Sequence, residues 1–204
     1  PPAARALPRT RPPSPPLNLV GDFGGAAMHL LAGVIAGLYA AKATGIGQVV
    51  SASISDGTLG LMPMTYGLYA SGEWSLERGQ NLLDGGAPFY RTYETSDGRY
   101  VAVGAIEGKF FRELLRKLGL EEQIDASRQN DRDTWPEATA LFAGTFAKKT
   151  RDEWAKLFET SDACVTPVLD MSEAPGHPQQ LAAGAFIEID GVRQPAPVPK
   201  FSAM

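Results

Sequence analysis

The chain has 204 residues, of which 44% are hydrophobic and 21% are charged, and its net charge is −4 at pH 7. This composition excludes a disordered protein, and the acidic balance gives no electrostatic reason to expect nucleic acid or an anionic membrane as a partner. Because there is one cysteine and there are two histidines, an internal disulfide framework is excluded, and we predict no metal site and a reducing compartment.

The chain begins with a Pro-rich lead-in, residues 1–16, that contains no acidic side chain. It has no apolar segment of the kind that directs secretion, and its proline density argues against the amphipathic helix of an organelle transit peptide. We interpret it as an irregular linker or tail.

The next stretch, residues 24–43, reads GGAAMHLLAGVIAGLYAAKA and predicts a helix that ends with Lys42 and Gly45. Because the apolar run is shorter than the roughly 20 residues of a membrane span, we predict a buried core helix and no membrane. Residues 48–54 (QVVSASI) alternate partly between apolar and polar, which predicts a short buried strand.

Residues 58–70 are apolar and predict a helix that is interrupted at Pro63. A polar, glycine-rich passage, residues 71–86, follows. Together they indicate a helical connector between two bodies.

The second body opens with two β-rich runs, residues 90–95 and 99–105, around Asp97-Gly98, which predicts a hairpin. Three helices follow, at residues 109–118 before Gly119, at 135–148, and at 151–159 with Thr150 as N-cap. Residues 163–169 predict a strand that Pro167 confines to an edge. The prolines after residue 184 predict extended chain.

These elements predict the α/β class. We divide the chain after its lead-in into part of a large α/β domain (17–56), a helical connector (57–88), a small α+β domain (89–182) and an outgoing linker (183–204).

An acid lies among apolar residues and glycines in LNLVGDFGG, residues 17–25. Asp22 can cap the following helix by accepting hydrogen bonds from its first N–H groups. It can also serve as an acid or base beside Gly24 and Gly25, where the missing side chains let a ligand approach the backbone. The sequence leaves both interpretations open.

Two further stretches allow a structural or a functional interpretation. Glu107 follows a strand and precedes a helix, so it is either a helix-start acid or a site residue. The segment 84–90 (DGGAPFY) is either a simple turn or a site loop. We predict that His29 is packed among apolar neighbours, that His177 lies on a solvated loop, and that Cys164 is a small buried hydrophobe.

Four segments together resemble the α-methylacyl-CoA racemase family, which has the family III CoA-transferase (CaiB/BaiF-type) fold. They are LNLVGDFGG (17–25), RGQNLLDGGAPFYRTYETSDGRYVAVGAIE (78–107), QNDRDTWPE (129–137) and SDACVTPVL (161–169). The similarity covers most of residues 17–169 in order, and it implies that 17–56 is the remnant of a Rossmann-like large domain.

The resemblance implies that Asp22 is one of two acid/base groups on opposite faces of the substrate α-carbon, the other being a histidine, and that Glu107 is a second active-site acid. The implied reaction is epimerisation of 2-methylacyl-CoA thioesters by 1,1-proton transfer. It needs no cofactor, because CoA is part of the substrate, and no metal. We assign substrate binding to Asn18, Gly24, Gly25, Asp84, Gly85, Gly86 and Tyr90.

Two alternatives remain beside the racemase interpretation. In transferases of the same fold, an aspartate at the position of Asp22 forms an acyl anhydride with the substrate. The histidine of the racemases lies in a Gly-His-Asp segment upstream of the aspartate, and the residues before Asp22 contain no histidine. We therefore expect a fragment of the enzyme, which on its own is either incomplete or a non-catalytic module.

The expected partners follow from the same resemblance. We expect an acyl-CoA thioester as substrate and, in the complete protein, an interlocked homodimer, with no nucleic acid and no membrane. The expected location is the cytoplasm of a bacterium, or the mitochondrion or peroxisome of a eukaryote.

Overall fold

The computed structural model describes residues 16–202, so all but the last residue of the predicted lead-in lies outside the described residues. The chain divides into two compact units, with the boundary between Asn81 and Leu82. This boundary falls inside the predicted connector, and the two units are described separately below.

The described part of the N-terminal unit is helical. A π-helical segment, Leu19–Ala27, continues into α1 (Met28–Thr44), and α2 (Ile54–Gly60) and α3 (Pro63–Ala70) follow. Pro63 starts α3, where its missing N–H costs no helical hydrogen bond, so the predicted interruption is confirmed. Gly45 ends α1 with φ of 76°, a left-handed conformation that glycine adopts without steric cost, which confirms the predicted helix end.

The predicted strand at residues 48–54 is wrong. Residues 46–53 have no regular secondary structure, and α2 begins at Ile54. A strand needs a neighbouring strand to satisfy its backbone hydrogen bonds, and residues 16–81 hold no other strand. The partial alternation of QVVSASI was therefore not sufficient to predict a strand.

The prediction that the long apolar helix is buried is also wrong. No residue of α1 is buried, and the side chain of Tyr39 is 76% exposed. Gly33 and Gly37 leave room for the side chain of Val50, in the segment that follows the helix, which would lie 2.7 and 3.3 Å from a Cβ at these positions. A single extended segment covers only a narrow stripe of a helix, so the other apolar side chains remain exposed.

The continuous helical run is longer than predicted. It extends over Leu19–Thr44, 26 residues, and by length and composition it meets the requirements for crossing a membrane. Core helices of soluble proteins and signal sequences meet the same two requirements. The prediction that this helix is too short to span a membrane is therefore wrong. The absence of a membrane partner stays a prediction.

The C-terminal unit contains a three-stranded antiparallel sheet. Strand β1 (Tyr90–Glu94) pairs with β2 (Tyr100–Gly104), and β2 pairs with β3 (Val165–Pro167), so the order is β1-β2-β3. Gly98 adopts φ of 71° in the turn between β1 and β2. The predicted hairpin is confirmed, and so is the edge position of β3.

Helices α4 (Gly108–Leu118), α5 (Trp135–Phe146), α6 (Arg151–Phe158) and α7 (Pro178–Ala182) complete this unit, with short 3₁₀ turns between them. Helix α4 buries the apolar side chains at positions 111, 114, 115 and 118, which recur at the spacing of one helix face. Helix α6 starts with a capping box between Thr150 and Glu153, which confirms the predicted N-cap.

The core of this unit is aromatic. Its fully buried phenylalanines are Phe89, Phe111, Phe142 and Phe146. The Phe89 ring meets Phe111 edge-on with centroids 5.4 Å apart and Trp135 with centroids 6.0 Å apart. Aromatic contacts of this kind stabilise beyond the area they bury, so the core fixes the loop that leads into β1.

One buried arginine links α6 to the chain that follows β3. Arg151 is 4% exposed, and its Nη1 and Nη2 donate to the Glu173 carboxylate at 2.7 and 2.8 Å. Hydrogen bonds from Arg151 lower the pKa of Glu173 to about 2 and, reciprocally, raise the pKa of Arg151. This ion pair therefore stabilises the folded unit in its charged form.

The predicted extended linker, residues 183–204, instead contains a hairpin of β4 (Phe186–Ile189) and β5 (Val192–Pro195). The turn residues Asp190 and Gly191 have φ of 51° and 78°. An Asp-Gly pair is a strong hairpin signal, because both residues tolerate positive φ. The prediction of extended chain rested on the prolines of this stretch and did not take the Asp190-Gly191 pair into account.

Candidate functional site

Asp22 lies in the first turn of the π-helical segment and not in front of it. The residue that precedes the helix is Asn18, and neither side chain caps the helix. The Asp22 carboxylate is exposed, and no other residue within 16–202 forms a hydrogen bond or ion pair with it. The capping interpretation is therefore wrong, and the carboxylate is available to a group from outside the chain.

The backbone around Asp22 has an uncommon conformation. The Phe23 N–H donates to the Asn18 carbonyl oxygen at 3.2 Å, and the Met28 N–H donates to the Phe23 carbonyl oxygen. Each of these hydrogen bonds joins residues that are five positions apart. π-Helical segments are rare and are frequent at functional sites, because they change the direction in which side chains leave a helix. The segment therefore sets the direction of Asp22 differently from an α-helix.

The glycines that follow Asp22 allow two backbones to approach closely. A Cβ on Gly25 would lie 3.0 Å from both N and Oγ1 of Thr58, and a Cβ on Gly57 would lie 2.0 Å from the Gly25 carbonyl oxygen. A Cβ on Gly24 would lie 3.1 Å from the Leu19 carbonyl oxygen. The space that we expected a ligand to use beside Gly25 is thus filled by α2, which holds the π-helical segment in place.

Both histidines form hydrogen bonds with the backbone. His29 Nδ1 lies 2.6 Å from the Gly25 carbonyl oxygen, and His177 Nδ1 accepts from the Gln179 N–H at 3.3 Å as the N-cap of α7. His29, in the same unit as Asp22, forms no hydrogen bond or ion pair with the Asp22 carboxylate. The part of the N-terminal unit that the structure describes, residues 16–81, therefore offers no histidine paired with Asp22.

Glu107 is the N-cap residue of α4, in an extended conformation with φ of −75° and ψ of 137°, which confirms its predicted place at a helix start. Its carbonyl oxygen accepts from the N–H groups of Phe110 and Phe111 at 2.9 and 3.0 Å. Its side chain makes no capping hydrogen bond and is exposed. The backbone of Glu107 is thus held by hydrogen bonds, whereas its carboxylate takes no part in capping the helix.

The glycine-bearing loop, residues 84–90, enters β1 through a buried anchor. Asp84 Oδ1 accepts from the Gly86 N–H at 3.2 Å, and Gly85 adopts φ of 88° between them. The next three residues, 87–89, are buried, and the Tyr93 hydroxyl donates to the carbonyl oxygen at position 88 at 2.6 Å. Tyr90, at the end of the loop, is 36% exposed.

The loop and Glu107 meet at one end of the hairpin. Tyr90 pairs with Gly104 across β1 and β2, and the Ala105 N–H donates to the Phe89 carbonyl oxygen at 2.9 Å. Tyr90 therefore starts β1 at the end of the hairpin where β2 leads towards Glu107, within the C-terminal unit. Asn18, Asp22, Gly24 and Gly25 lie together within the N-terminal unit.

Sequence reasoning gave no role to Gln129, although it opens the quoted segment QNDRDTWPE. Gln129 is 8% exposed, and its Nε2 donates to the carbonyl oxygens of Ala105 and Ile106 at 3.1 and 2.8 Å. A buried amide needs hydrogen-bond partners, but the sequence shows neither the burial of Gln129 nor its partners, which lie more than twenty positions earlier in the chain.

Cys164 is exposed, so the prediction of a buried cysteine is wrong. It lies just before β3 with φ of 53°, and its carbonyl oxygen accepts from the Gly104 N–H at 2.9 Å. Partial burial, with the charges of Glu107 and Asp162, raises the pKa of the thiol. The thiol is therefore protonated at neutral pH and is a weak nucleophile.

Residues 16–202 contain no group of three or more histidine, cysteine, aspartate or glutamate side chains placed to hold a metal ion. Each unit instead offers one exposed candidate carboxylate, Asp22 in the N-terminal unit and Glu107 in the C-terminal unit, on a backbone that hydrogen bonds or close packing hold in place. A carboxylate can act as a general acid or base towards a ligand within its reach.

A family model described as CoA-transferase family III matches residues 5–204. The chain is 46% identical over 187 residues to the alpha-methylacyl-CoA racemase of Mus musculus, and this match covers 92% of this chain and 49% of that protein. It is 43% identical over 189 residues to the alpha-methylacyl-CoA racemase of Homo sapiens, covering 91% and 49%. The chain thus spans about half the length of the curated relatives it matches.

The crystal structure of a CAIB/BAIF family protein from Brucella suis superposes with a TM-score of 0.69 at 22% identity, over 95% of this chain and 52% of that one. At this level of identity the likeness shows the fold alone. It agrees with the mixture of helices and strands described above.

Proposed function

The chain belongs to CoA-transferase family III, and from this premise we propose that it carries acid/base residues of an enzyme that epimerises the α-carbon of 2-methylacyl-CoA thioesters. The observation that carries the proposal is the 46% identity to a protein named alpha-methylacyl-CoA racemase over 92% of this chain. The exposed Asp22 carboxylate, which has no partner within residues 16–202, supports it.

A carboxylate can supply the base that this chemistry requires. A thioester carbonyl acidifies the neighbouring C–H group, so a base removes that proton and leaves a planar enolate. When an acid on the other face returns a proton, the configuration is inverted. Only protons move in this reaction, so we propose no cofactor beyond the CoA portion of the substrate.

We assign proton transfer to Asp22 and a supporting acid role to Glu107. Asp22 is held by the π-helical segment and by the contact of Gly25 with α2. Positioning matters because a base must reach within hydrogen-bonding distance of the proton that it removes. Substrate binding by Asn18, Gly24, Asp84, Gly85, Gly86 and Tyr90 belongs to the same proposal, whereas Gly25 is buried against Thr58 and is not proposed again.

The proposal includes a second proton carrier and a partner. In the family that the sequence resembles, the opposing group is a histidine. Because His29 and His177 both bind backbone groups, we assign that role to neither of them. We propose an interlocked homodimer as the active assembly and an acyl-CoA thioester as its substrate.

The test measures exchange of the α-proton for deuterium by NMR, with a 2-methylacyl-CoA thioester and the complete gene product that contains these residues, in D₂O. We expect exchange by the unaltered protein and a loss of about 10²–10⁴-fold in Asp22→Asn. The matched control is Asp56→Asn in the same unit, where the new amide oxygen still accepts from the Ser53 hydroxyl. The control should exchange at the unaltered rate.

Two results contradict the proposal. One is α-proton exchange by Asp22→Asn at the unaltered rate. The other is transfer of CoA between acids without α-proton exchange, together with a hydroxylamine-sensitive acyl adduct on Asp22, which indicates the covalent transferase chemistry instead.

A further inference from the structure

We propose that Gln129 is a positioning residue that sets the direction of Glu107. This inference rests on the proposed function for the meaning of Glu107, but its geometry is independent of any activity. It concerns the segment from Ala105 to Gly108, which joins the end of β2 to the start of α4.

The Glu107 side chain is not held directly. It makes no capping hydrogen bond and is exposed, and no residue within 16–202 forms a hydrogen bond or ion pair with it. The backbone of Glu107 sets the direction of its Cα–Cβ bond, from which the side chain rotates. Whatever fixes that backbone therefore limits the region that the carboxylate can reach.

The Gln129 side chain binds the two peptide groups directly before Glu107. Its Nε2 donates to the Ala105 carbonyl oxygen at 3.1 Å and to the Ile106 carbonyl oxygen at 2.8 Å. The Ile106 carbonyl belongs to the peptide that continues into Glu107. A rotation of that peptide would break the shorter bond, so the amide resists a change in the Glu107 backbone angles.

Gln129 is itself fixed. It is buried, and its backbone carbonyl oxygen accepts from the Trp135 indole N–H at 2.9 Å. Trp135 packs edge-on against Phe89, and the Phe89 carbonyl oxygen accepts from the Ala105 N–H at 2.9 Å. These contacts form a closed ring that returns to the segment that Gln129 binds.

A glutamine side chain is chemically suited to this place. A side-chain amide carries two N–H donors and no charge, so it can bind two carbonyl oxygens at once without altering the protonation of a nearby carboxylate. A lysine or arginine at this place would also donate, but its charge would stabilise the ionised form of Glu107. The neutral amide fixes position alone.

The experiment compares Gln129→Met with Gln123→Met in the full chain. Methionine keeps the length of the side chain and removes both donors. Gln123 is exposed in the same unit, and its side chain makes no hydrogen bond within residues 16–202. The control therefore reports the effect of the substitution without the loss of the two bonds.

The first readout is amide hydrogen exchange by NMR. Because the N–H groups of Phe110 and Phe111 donate to the Glu107 carbonyl oxygen, their exchange reports the local backbone. We expect both to exchange about ten- to a hundredfold faster in Gln129→Met, the range that follows from losing two hydrogen bonds. Leu115, one turn further along α4, should change by less than about threefold, and Gln123→Met should change none of them.

The second readout is α-proton exchange of a 2-methylacyl-CoA thioester. We expect kcat to fall by about ten- to a hundredfold in Gln129→Met, with KM within about twofold, because the substrate still binds while a supporting acid is misplaced. If the unaltered protein shows no α-proton exchange while the amide response is as expected, the proposed function fails and the positioning role stands.

The positioning role is overturned by either of two amide results. One is unchanged exchange at Phe110 and Phe111 in Gln129→Met. The other is an equal acceleration at Leu115, because a uniform response means that Gln129 stabilises the whole unit and does not hold Glu107 in particular.

Discussion

The substitution Gly57→Ala tests the contact that holds the Asp22 segment in place. A Cβ at position 57 would lie 2.0 Å from the carbonyl oxygen and 2.3 Å from the carbonyl carbon of Gly25. Both atoms belong to the backbone, so rotation of a side chain cannot relieve the clash. We therefore expect the π-helical segment and α2 to separate.

The magnitude follows from that geometry. Since Cβ atoms do not approach other heavy atoms more closely than 3.0 Å, the two backbones must move apart by at least 1.0 Å, the difference between 3.0 and 2.0 Å. Overpacking of this kind costs about 1–3 kcal/mol, whereas replacing a helical glycine with alanine contributes about 0.5–1 kcal/mol of stability. We expect a net destabilisation of about 1–2 kcal/mol.

Gly67→Ala is the matched control. Gly67 lies within α3, and a Cβ there would meet nothing within 4 Å. The same chemical change should therefore stabilise the protein by about 0.5–1 kcal/mol. The two variants should differ by about 2–3 kcal/mol in the free energy of unfolding of the N-terminal unit.

Hydrogen exchange followed by mass spectrometry resolves this difference, because peptides that cover residues 19–27 and 54–60 report the contact locally. In Gly57→Ala they should exchange about tenfold or more faster than in the unaltered protein, since 1.4 kcal/mol corresponds to a factor of ten. Unchanged protection of both peptides in Gly57→Ala would refute the close backbone contact. It would also remove the argument that this contact positions Asp22.

Two further predictions concern the C-terminal unit. Thr150→Ala removes the capping box with Glu153 and should destabilise the unit by about 1 kcal/mol in urea unfolding. Thr160→Ala is the control and should leave the stability unchanged, because the Thr160 side chain is exposed and forms no hydrogen bond within residues 16–202. The Glu173 pKa is about 2, below its ordinary 4.5, so its ion pair with Arg151 stabilises the fold above about pH 4.5 and is lost as the pH falls towards 2. Glu173→Gln should therefore be less stable than the unaltered protein at pH 7, and the two should converge in acid; parallel stability profiles would contradict this assignment.

The sequence predicted those elements that local signals define. Asp97-Gly98 specified the first hairpin, Gly119 ended α4, and Thr150 started α6, in each case through backbone requirements that a few neighbouring residues satisfy. The places of Glu107 and Tyr90 followed from these elements. Local chemistry therefore located the candidate residues Glu107 and Tyr90 of the C-terminal unit.

The failures depend on contacts between distant residues. The strand predicted at residues 48–54 had no neighbour to pair with, and the apolar pattern of α1 gave no information about what covers it. The link from Gln129 to Ala105 joins residues 24 positions apart, so no local pattern indicates it. The π-helical conformation around Asp22 was also missed, because it depends on the approach of Gly57.

The most direct test of the account starts from a single epimer of a 2-methylacyl-CoA thioester in D₂O and follows its configuration and its deuterium content together. With the complete gene product, we expect deuterium to enter at the α-carbon while the epimer converts to a mixture of both, and Asp22→Asn should slow both processes by about 10²–10⁴-fold. Conversion that proceeds equally fast in Asp22→Asn, or a single epimer that stays unchanged and free of deuterium with the unaltered protein, would contradict the role of Asp22 as a proton carrier.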